Sequence, residues 1–195
     1  MAQKLILPVN RMLVSASYLW GTAYQNAYGG KHYGMDVYGQ SQIWCQGNGT
    51  VVAAGWDNVL GYVVAILYPN CLNWVTGKTH DVVVRYYHMA SVSVTKGQQV
   101  NKDTRLGIMG NTGKYTDGIH LHIEIDYDTQ YPLYTPTLTG NSNLCKAGYR
   151  DTLRDTTVDP RRFLHVKATA PDYQSVQAAN GDAWVDPRDA QLPAA

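Results

Sequence analysis

A mainly β, antiparallel fold with few short helices is what this sequence predicts, and three observations predict it. The apolar runs "TVVAAGW", "GYVVAILY" and "DVVVRYYHM" follow one another between residues 50 and 89, punctuated by Gly, Asn or Pro, as strands joined by turns are. The segment "GIHLHIEIDYD", 118–128, alternates apolar and polar residues with the period of a half-buried strand. Fifteen Tyr, five Trp and eighteen Gly beside a single Phe suit pleated surfaces joined by tight turns, and no stretch carries an amphipathic helical period.

In chain order, residues 1–30 are rich in Tyr, Ala and Gly without a clear period, and they are expected to form a loop-rich lead-in with little regular structure. "KHYGMDVYG", 31–39, reads as a strand between glycines. Residues 69–80 are expected to be the loop of a hairpin, and "SVSVTKGQQVNKDTRLGIMGNTG" carries short strands around a tight turn at Lys96-Gly97. "VDPRRFL", 158–164, reads as a closing turn whose proline fixes the chain before a short helix or coil. Residues 1–167 then make one domain. Residues 168–195, small, polar and proline-bearing, make a linker or an adherent tail.

Sixteen Lys and Arg against fifteen Asp and Glu leave a net charge of +1, so no broad basic field exists to hold nucleic acid through its phosphates. The apolar run in "MAQKLILPVNRML" is too short for the core of a signal peptide, and no stretch is long enough to span a membrane. The expectation is therefore synthesis in the cytoplasm without membrane insertion. Cys45, Cys71 and Cys145 lie far apart, are odd in number and contain no Cys-x-x-Cys pair, which reads as reduced, mostly buried thiols.

The chemistry-bearing residues fall into two clusters. Side chains an even number of positions apart on a strand return to the same side, so His32 and Asp36 can point into one site. The same rule puts His120, His122 and Glu124 on one face of their strand, and Leu121, Ile123 and Ile125 on the other. Three histidines and a carboxylate match the nitrogen and oxygen ligands of a catalytic zinc with one position left open. His88 lies two positions after Tyr86, on a face that also carries Val82 and Val84. It brings the set to four histidines and an aspartate, enough for three ligands and separate groups that manage protons. His80 and His165 read as ordinary surface histidines.

"HYGMD", "YYHM", "KGQQVNKDTRLGIMGNTG" and "GIHLHIEI", in that order, resemble the signature segments of the lysostaphin and LytM type peptidases, the M23 metallopeptidase family, over about residues 30–165. The resemblance implies an antiparallel β-sheet core with a groove walled by loops, and a domain acting as a monomer on peptide bonds of bacterial peptidoglycan. It implies that His32, Asp36 and His122 bind one zinc ion per chain and that His88 and His120 are the catalytic histidines. Asn111, in the "GNTG" turn, and Tyr86 are the expected substrate contacts. A departure lies in "KYTDGI", 114–119, where family members often carry a shorter Ser-Thr-Gly-Pro. A wall hydrolase without a leader fits an endolysin that reaches the wall after holin-type release, or an enzyme secreted by another route.

Two rival readings belong to other classes. A non-catalytic, wall-binding or hydrolase-activating protein of the same fold would usually lack the zinc ligands, all of which this chain keeps. A barrel-sandwich carrier or binding module would share the turn-rich "KGQQVNKDTRLGIMG", but would not need four histidines and an aspartate in register. Which bond is cut would be decided in loops around residues 15–30, 69–80 and 129–150.

Overall fold

Val, Ile and Tyr crowd the stretch from 49 to 89, and β-branched and aromatic side chains fit a pleated, half-buried surface. In the computed structural model, which describes residues 2–9, 12–19, 29–148 and 155–164, that stretch forms the long strands of the molecule. The strands run β1 (Leu13–Ala16), β2 (Met35–Tyr38), β3 (Gln42–Trp44), β4 (Gly49–Asp57), β5 (Gly61–Leu72), β6 (Thr79–Met89) and β7 (Ser91–Val92). They continue as β8 (Gln99–Val100), β9 (Arg105–Ile108), β10 (Leu121–Asp126), β11 (Tyr134–Thr135), β12 (Lys146–Ala147) and β13 (Thr157–Val158), before a 3-10 turn at Pro160–Arg162. The predicted closing turn is this last element. The proposed tail, 168–195, and His165 lie outside the described residues.

The principal sheet has the order β1-β2-β10-β6-β5-β4-β8, with β13 also pairing to β10. β2 pairs with Leu121–Ile123 and β13 with Ile125 and Asp126, so the two share one edge of β10 end to end while β6 occupies the other. A small antiparallel sheet, β3-β9-β7, packs beside it, and β11 and β12 make a short parallel pair. Among the described residues no helix is long and apolar enough to cross a membrane.

Strand alternation divides the core. Val64, Ile66 and Tyr68 of β5, Val82, Val84 and Tyr86 of β6 and Leu121, Ile123 and Ile125 of β10 enter one large apolar cluster with Ile43 and Leu106 of the small sheet. The opposite face carries Val63 and Ala65, Val83, Arg85 and Tyr87, and His122, Glu124 and Asp126. Leu133, Leu138, Leu144 and Cys145 pack against part of it. Asp57 anchors this cover from the β4–β5 turn: its carboxylate accepts the amides of Val59, Leu60 and Cys145, each at 2.9 Å, and the Ser142 hydroxyl. The second face is thus largely closed by this cover.

Two expectations about local structure are corrected. Residues 1–30 contain the edge strand β1, paired with β2 through Val14↔Val37 and Ala16↔Asp36, and Leu5, Leu7, Val9 and Met12 are buried in the large cluster. Pro8 and the Tyr-rich stretch after it mask this apolar pattern; residues 20–28 lie outside the described residues. The hairpin loop is 73–78 rather than 69–80, because β5 and β6 continue past Pro69 and Asn70 through a register shift between Tyr68 and Cys71, with Asn70 at φ 55°. Pro69 and Asn70 are turn signals by composition but serve here as a bulge, the setting in which a strand tolerates proline. Cys45, Cys71 and Cys145 are buried and unbridged.

Candidate metal and catalytic site

Antiparallel pairing of β2 with β10 puts Asp36 directly opposite His122. Asp36 Oδ1 lies 2.8 Å from His122 Nδ1, and His32 Nε2 reaches both atoms at 3.1 Å. His32, Asp36 and His122 are a group whose ligand atoms could hold one metal ion. Nitrogen and oxygen ligands held at about 2.0–2.1 Å from a tetrahedral zinc stand roughly 3.3 Å apart, close to these separations.

The donor set needs a cation or a proton at its centre. His32 Nδ1 lies 2.8 Å from the Ser17 carbonyl, which can only accept, so Nδ1 carries the hydrogen and Nε2 turns its lone pair toward Asp36 and His122. A carboxylate and two imidazole nitrogens converging this closely cannot satisfy one another unaided. Burial works against the charge on Asp36, but His32 and His122 beside it hold its carboxyl well below the usual carboxylate range. Burial pushes His122 down, yet Asp36 and Glu124 outweigh it and raise the imidazole to about 9. Were His32, Asp36 and His122 to hold a metal ion, His122 would give up that proton.

Gly34 in "HYGMD" is explained by the same geometry. A Cβ there would overlap His122 Nε2 and the Ile123 carbonyl, so only a bare backbone lets the imidazole lie against β2. Gly34→Ala is expected to shift the His122 ring and to destabilise the fold by about 1–3 kcal/mol, as overpacking does. Denaturant unfolding, together with the imidazole resonances of His122, checks this.

His88 reaches the site through a break in the alternation. Tyr62 pairs with Met89 and Val64 with Tyr86, which leaves Tyr87 and His88 opposite Val63 alone, a β-bulge with His88 in the left-handed region at φ 63°. Its amide still finds the Leu60 carbonyl at 3.1 Å. His88 Nδ1 donates to the Thr112 carbonyl at 2.9 Å, leaving Nε2 free. Thr112 is itself held by Oγ1, which donates to the Met89 carbonyl at 2.6 Å and accepts from the Tyr62 amide at 3.0 Å. Glycines at 110 and 113 allow this closeness, since a Cβ at either would strike backbone of β6 or of the β4–β5 turn. Burial, reinforced by the neighbouring His122 and His120, lowers His88 to about 4, so its imidazole is neutral near pH 7.

His120 precedes β10, bridged to Gly110, with Nδ1 donating to the Gly118 carbonyl at 3.0 Å and Nε2 lying 3.7 Å from Asp36 Oδ1. The His88 and His120 rings are 5.1 Å apart, and His88 is 6.0 Å from His122. The five residues singled out from the sequence as ligands and catalysts, His32, Asp36, His88, His120 and His122, therefore meet in one place.

Tyr86 does not join them. It is fully buried on the opposite face, where its hydroxyl donates to Gln46 Oε1 and lies 3.1 Å from the Tyr68 hydroxyl; Tyr87, on the face of Val83 and Arg85, is the tyrosine beside the site. Asn111 is exposed and accepts from Thr116 Oγ1 at 2.6 Å, which staples the 111–119 loop; the turn acts on His88 through the carbonyl of Thr112. His80 is a ring partner of Tyr127 and Phe163, away from this group. Sequence reasoning missed the carbonyls of Ser17 and Thr112, which carry no side-chain signal. It also missed Gly34, whose place between His32 and Asp36 was the available clue.

Beneath His122 lies a buried polar cluster. Glu124 Oε2 accepts from Arg85 Nε at 2.8 Å and from the Tyr87 hydroxyl at 2.9 Å, while Oε1 accepts from Thr135 Oγ1 at 2.8 Å and from the Thr137 hydroxyl. Arg85 also donates to Asp126 Oδ2 at 2.7 Å and to the Pro132 carbonyl at 3.1 Å. The cluster bolts β6, β10 and the 131–148 cover together under the site.

Where β2 meets β10, then, His32, Asp36 and His122 form a group that could hold a metal ion, with the imidazoles of His88 and His120 beside it. The family model of Peptidase family M23 matches residues 30–132, just over half of the chain, and the chain belongs to that family. Among curated proteins it is similar to peptidoglycan DD-endopeptidase ShyA of Vibrio cholerae serotype O1, at 39% identity over 80 residues. That match covers 40% of this chain and 17% of the relative's length. Among solved structures it resembles the antimicrobial peptidase lysostaphin from Staphylococcus simulans, with TM-score 0.55, 19% identity and 87% and 58% of the two chains covered. A zinc containing peptidase from Vibrio cholerae is similar at TM-score 0.51 and 21% identity, over 64% and 37%. At these identities the two structures establish the likeness of fold.

Proposed function

We propose that the protein is a zinc-dependent endopeptidase that hydrolyses peptide bonds in bacterial peptidoglycan, in stem or cross-bridge. His32, Asp36 and His122 hold one zinc ion per chain and His88 and His120 serve catalysis. The observation that carries this is the convergence of His32 Nε2, Asp36 Oδ1 and His122 Nδ1 within 3.1 Å, with the rings of His88 and His120 beside them. Family membership supports the peptidase chemistry, and the likeness to a DD-endopeptidase supports the substrate class.

A zinc ion held there supplies Lewis acidity and makes water a nucleophile at neutral pH. The chain's own residues do the rest. His88, neutral near pH 7 and fixed through Nδ1 by Thr112, offers Nε2 as a proton acceptor. His120, fixed through Nδ1 by Gly118, holds Nε2 beside Asp36; once Nε2 has also taken up a proton, such as the one released by the attacking water, the imidazolium can hand it to the departing amine or donate to developing negative charge on the substrate carbonyl. The buried cluster under His122 keeps the ligands in register.

The same reading takes the catalytic domain as residues 1–167 acting as a monomer, residues 168–195 as a dispensable tail, and the action as wall-lytic, of the endolysin kind. A non-catalytic wall-binding role is disfavoured by the retention of every ligand and both further histidines. Zinc content after reconstitution, and mass analysis of muropeptides released from sacculi of several wall types, test the proposal. The expected results are one equivalent of zinc and new peptide termini. Less than half an equivalent in folded protein, or no cleavage on any wall, overturns it.

A further inference from the structure

We propose that Tyr87 and Glu124 are a positioning pair that sets the plane and tautomer of the His122 imidazole, and thereby the affinity of the site for its metal; this rests on the zinc reading above. Tyr87 and His122 are register partners on β6 and β10, and their rings lie parallel, 11° apart in plane and 5.4 Å between centroids. The stack is therefore built into the strand pairing. The Tyr87 hydroxyl donates to Glu124 Oε2 at 2.9 Å, and the other carboxylate oxygen, Oε1, stands 3.7 Å from His122 Nε2. That Nε2 is the one buried side-chain nitrogen or oxygen among the described residues without a hydrogen-bond partner.

An imidazole that turns Nδ1 to a metal carries its hydrogen on Nε2. A buried N–H without an acceptor is costly, on the order of 1–3 kcal/mol. Glu124 Oε1 is the acceptor at hand, and an approach of under about 1 Å brings the pair to ordinary hydrogen-bond distance. Glu124 is held in place to receive it by Arg85, Thr135 and Tyr87. Such a carboxylate behind a ligating histidine fixes the tautomer and raises the ligand's basicity.

Tyr87 acts in two ways. Its ring closes one side of the imidazole while the backbone at Gly34 closes another, so the ring cannot turn over; its hydroxyl helps hold the carboxylate that takes the Nε2 hydrogen. Tyr87 keeps the alternation of Val83 and Arg85 and so lies beside His122, while the irregularity next to it turns His88 into the site.

The test compares zinc affinity, by competition with a chelator, in the folded wild-type chain and three variants. Tyr87→Phe keeps the ring and loses the hydroxyl, Tyr87→Leu loses both, and Thr156→Val removes one hydrogen bond from Asp126 in the same cluster without touching His122 or Glu124. Outer-shell losses weaken metal binding about 10–100-fold. Tyr87→Phe is expected near the lower figure, Tyr87→Leu near the upper, and Thr156→Val unchanged despite some loss of stability. In zinc-loaded wild type the Nε2 hydrogen of His122 is expected as a slowly exchanging nitrogen-15 resonance that weakens in Tyr87→Phe. Affinity within twofold of wild type in folded Tyr87→Phe, or an equal loss in Thr156→Val, overturns the proposal. A wild-type chain that binds no zinc overturns the reading beneath it as well.

Discussion

Alanine at His88 is expected to leave zinc in the folded chain and to lower hydrolysis by about 10²–10⁴-fold, the range that acid and base assistance supplies. His120→Ala should behave in the same way. His122→Ala should lose the metal together with the activity. The division follows from contacts: His122 Nδ1 is one corner of the ligand triangle, whereas His88 is tied to Thr112 and stands 6.0 Å, ring to ring, from His122. Zinc content and turnover measured side by side, with circular dichroism to confirm folding, decide it. Zinc released as readily from His88→Ala as from His122→Ala, or near-normal turnover in His88→Ala, contradicts the assignment.

The largest effect on stability is expected at Arg85. It is fully buried, and its guanidinium neutralises Glu124 and Asp126 while closing on the Pro132 carbonyl. Arg85→Met leaves two buried carboxylates without their cation, a loss of about 3–5 kcal/mol, and adding Glu124→Gln should recover part of it. Burial disfavours charge on Glu124, but Arg85, with His122 and Thr137, holds its carboxyl well below the usual range. The unfolded chain binds a proton at that carboxyl near pH ~4.3 while the folded chain stays ionised, so below that pH the unfolded state takes up more protons and stability falls. The contribution is fully present above roughly pH 5 and drains away as the medium turns more acid. Urea unfolding of wild type and Glu124→Gln between pH 3 and 7 should show a steeper acid slope in the wild type. Equal slopes would mean that Glu124 is not the group responsible.

Strand chemistry made much of this legible before any coordinates. Asp36 and His122 were readable because alternation along β2 and β10 is regular, whereas His32 and His120 lie just before those strands and join the group from outside the alternation. His88 was readable as a residue but not as a geometry: extending the alternation of Val82, Val84 and Tyr86 places it in the core. The bulge that frees it depends on the Thr112 carbonyl and on the turn at Leu60, which have no local signature. The same bulge separates His88 from the face it would otherwise share with Tyr86, which stays in the core. β1 stayed hidden because its partner is distant and its apolar residues are interrupted by Pro8. The cover over Glu124 stayed hidden because its strands, Tyr134–Thr135 and Lys146–Ala147, are two residues long and held chiefly by side-chain bonds to Asp57 and Glu124.

The ligand atoms that nearly touch come from residues 90 positions apart, His32 and His122, and they meet only when β2 docks on the free edge of β10. Closing a loop of that length is entropically late work for a chain, whereas the β4–β5–β6 meander forms from neighbours in sequence. A growing or half-folded chain thus has most of its sheet before it has any place for a metal. On the function proposed above, a chain that has not yet paired β2 with β10 lacks the assembled site and is inert toward peptide bonds, its own included.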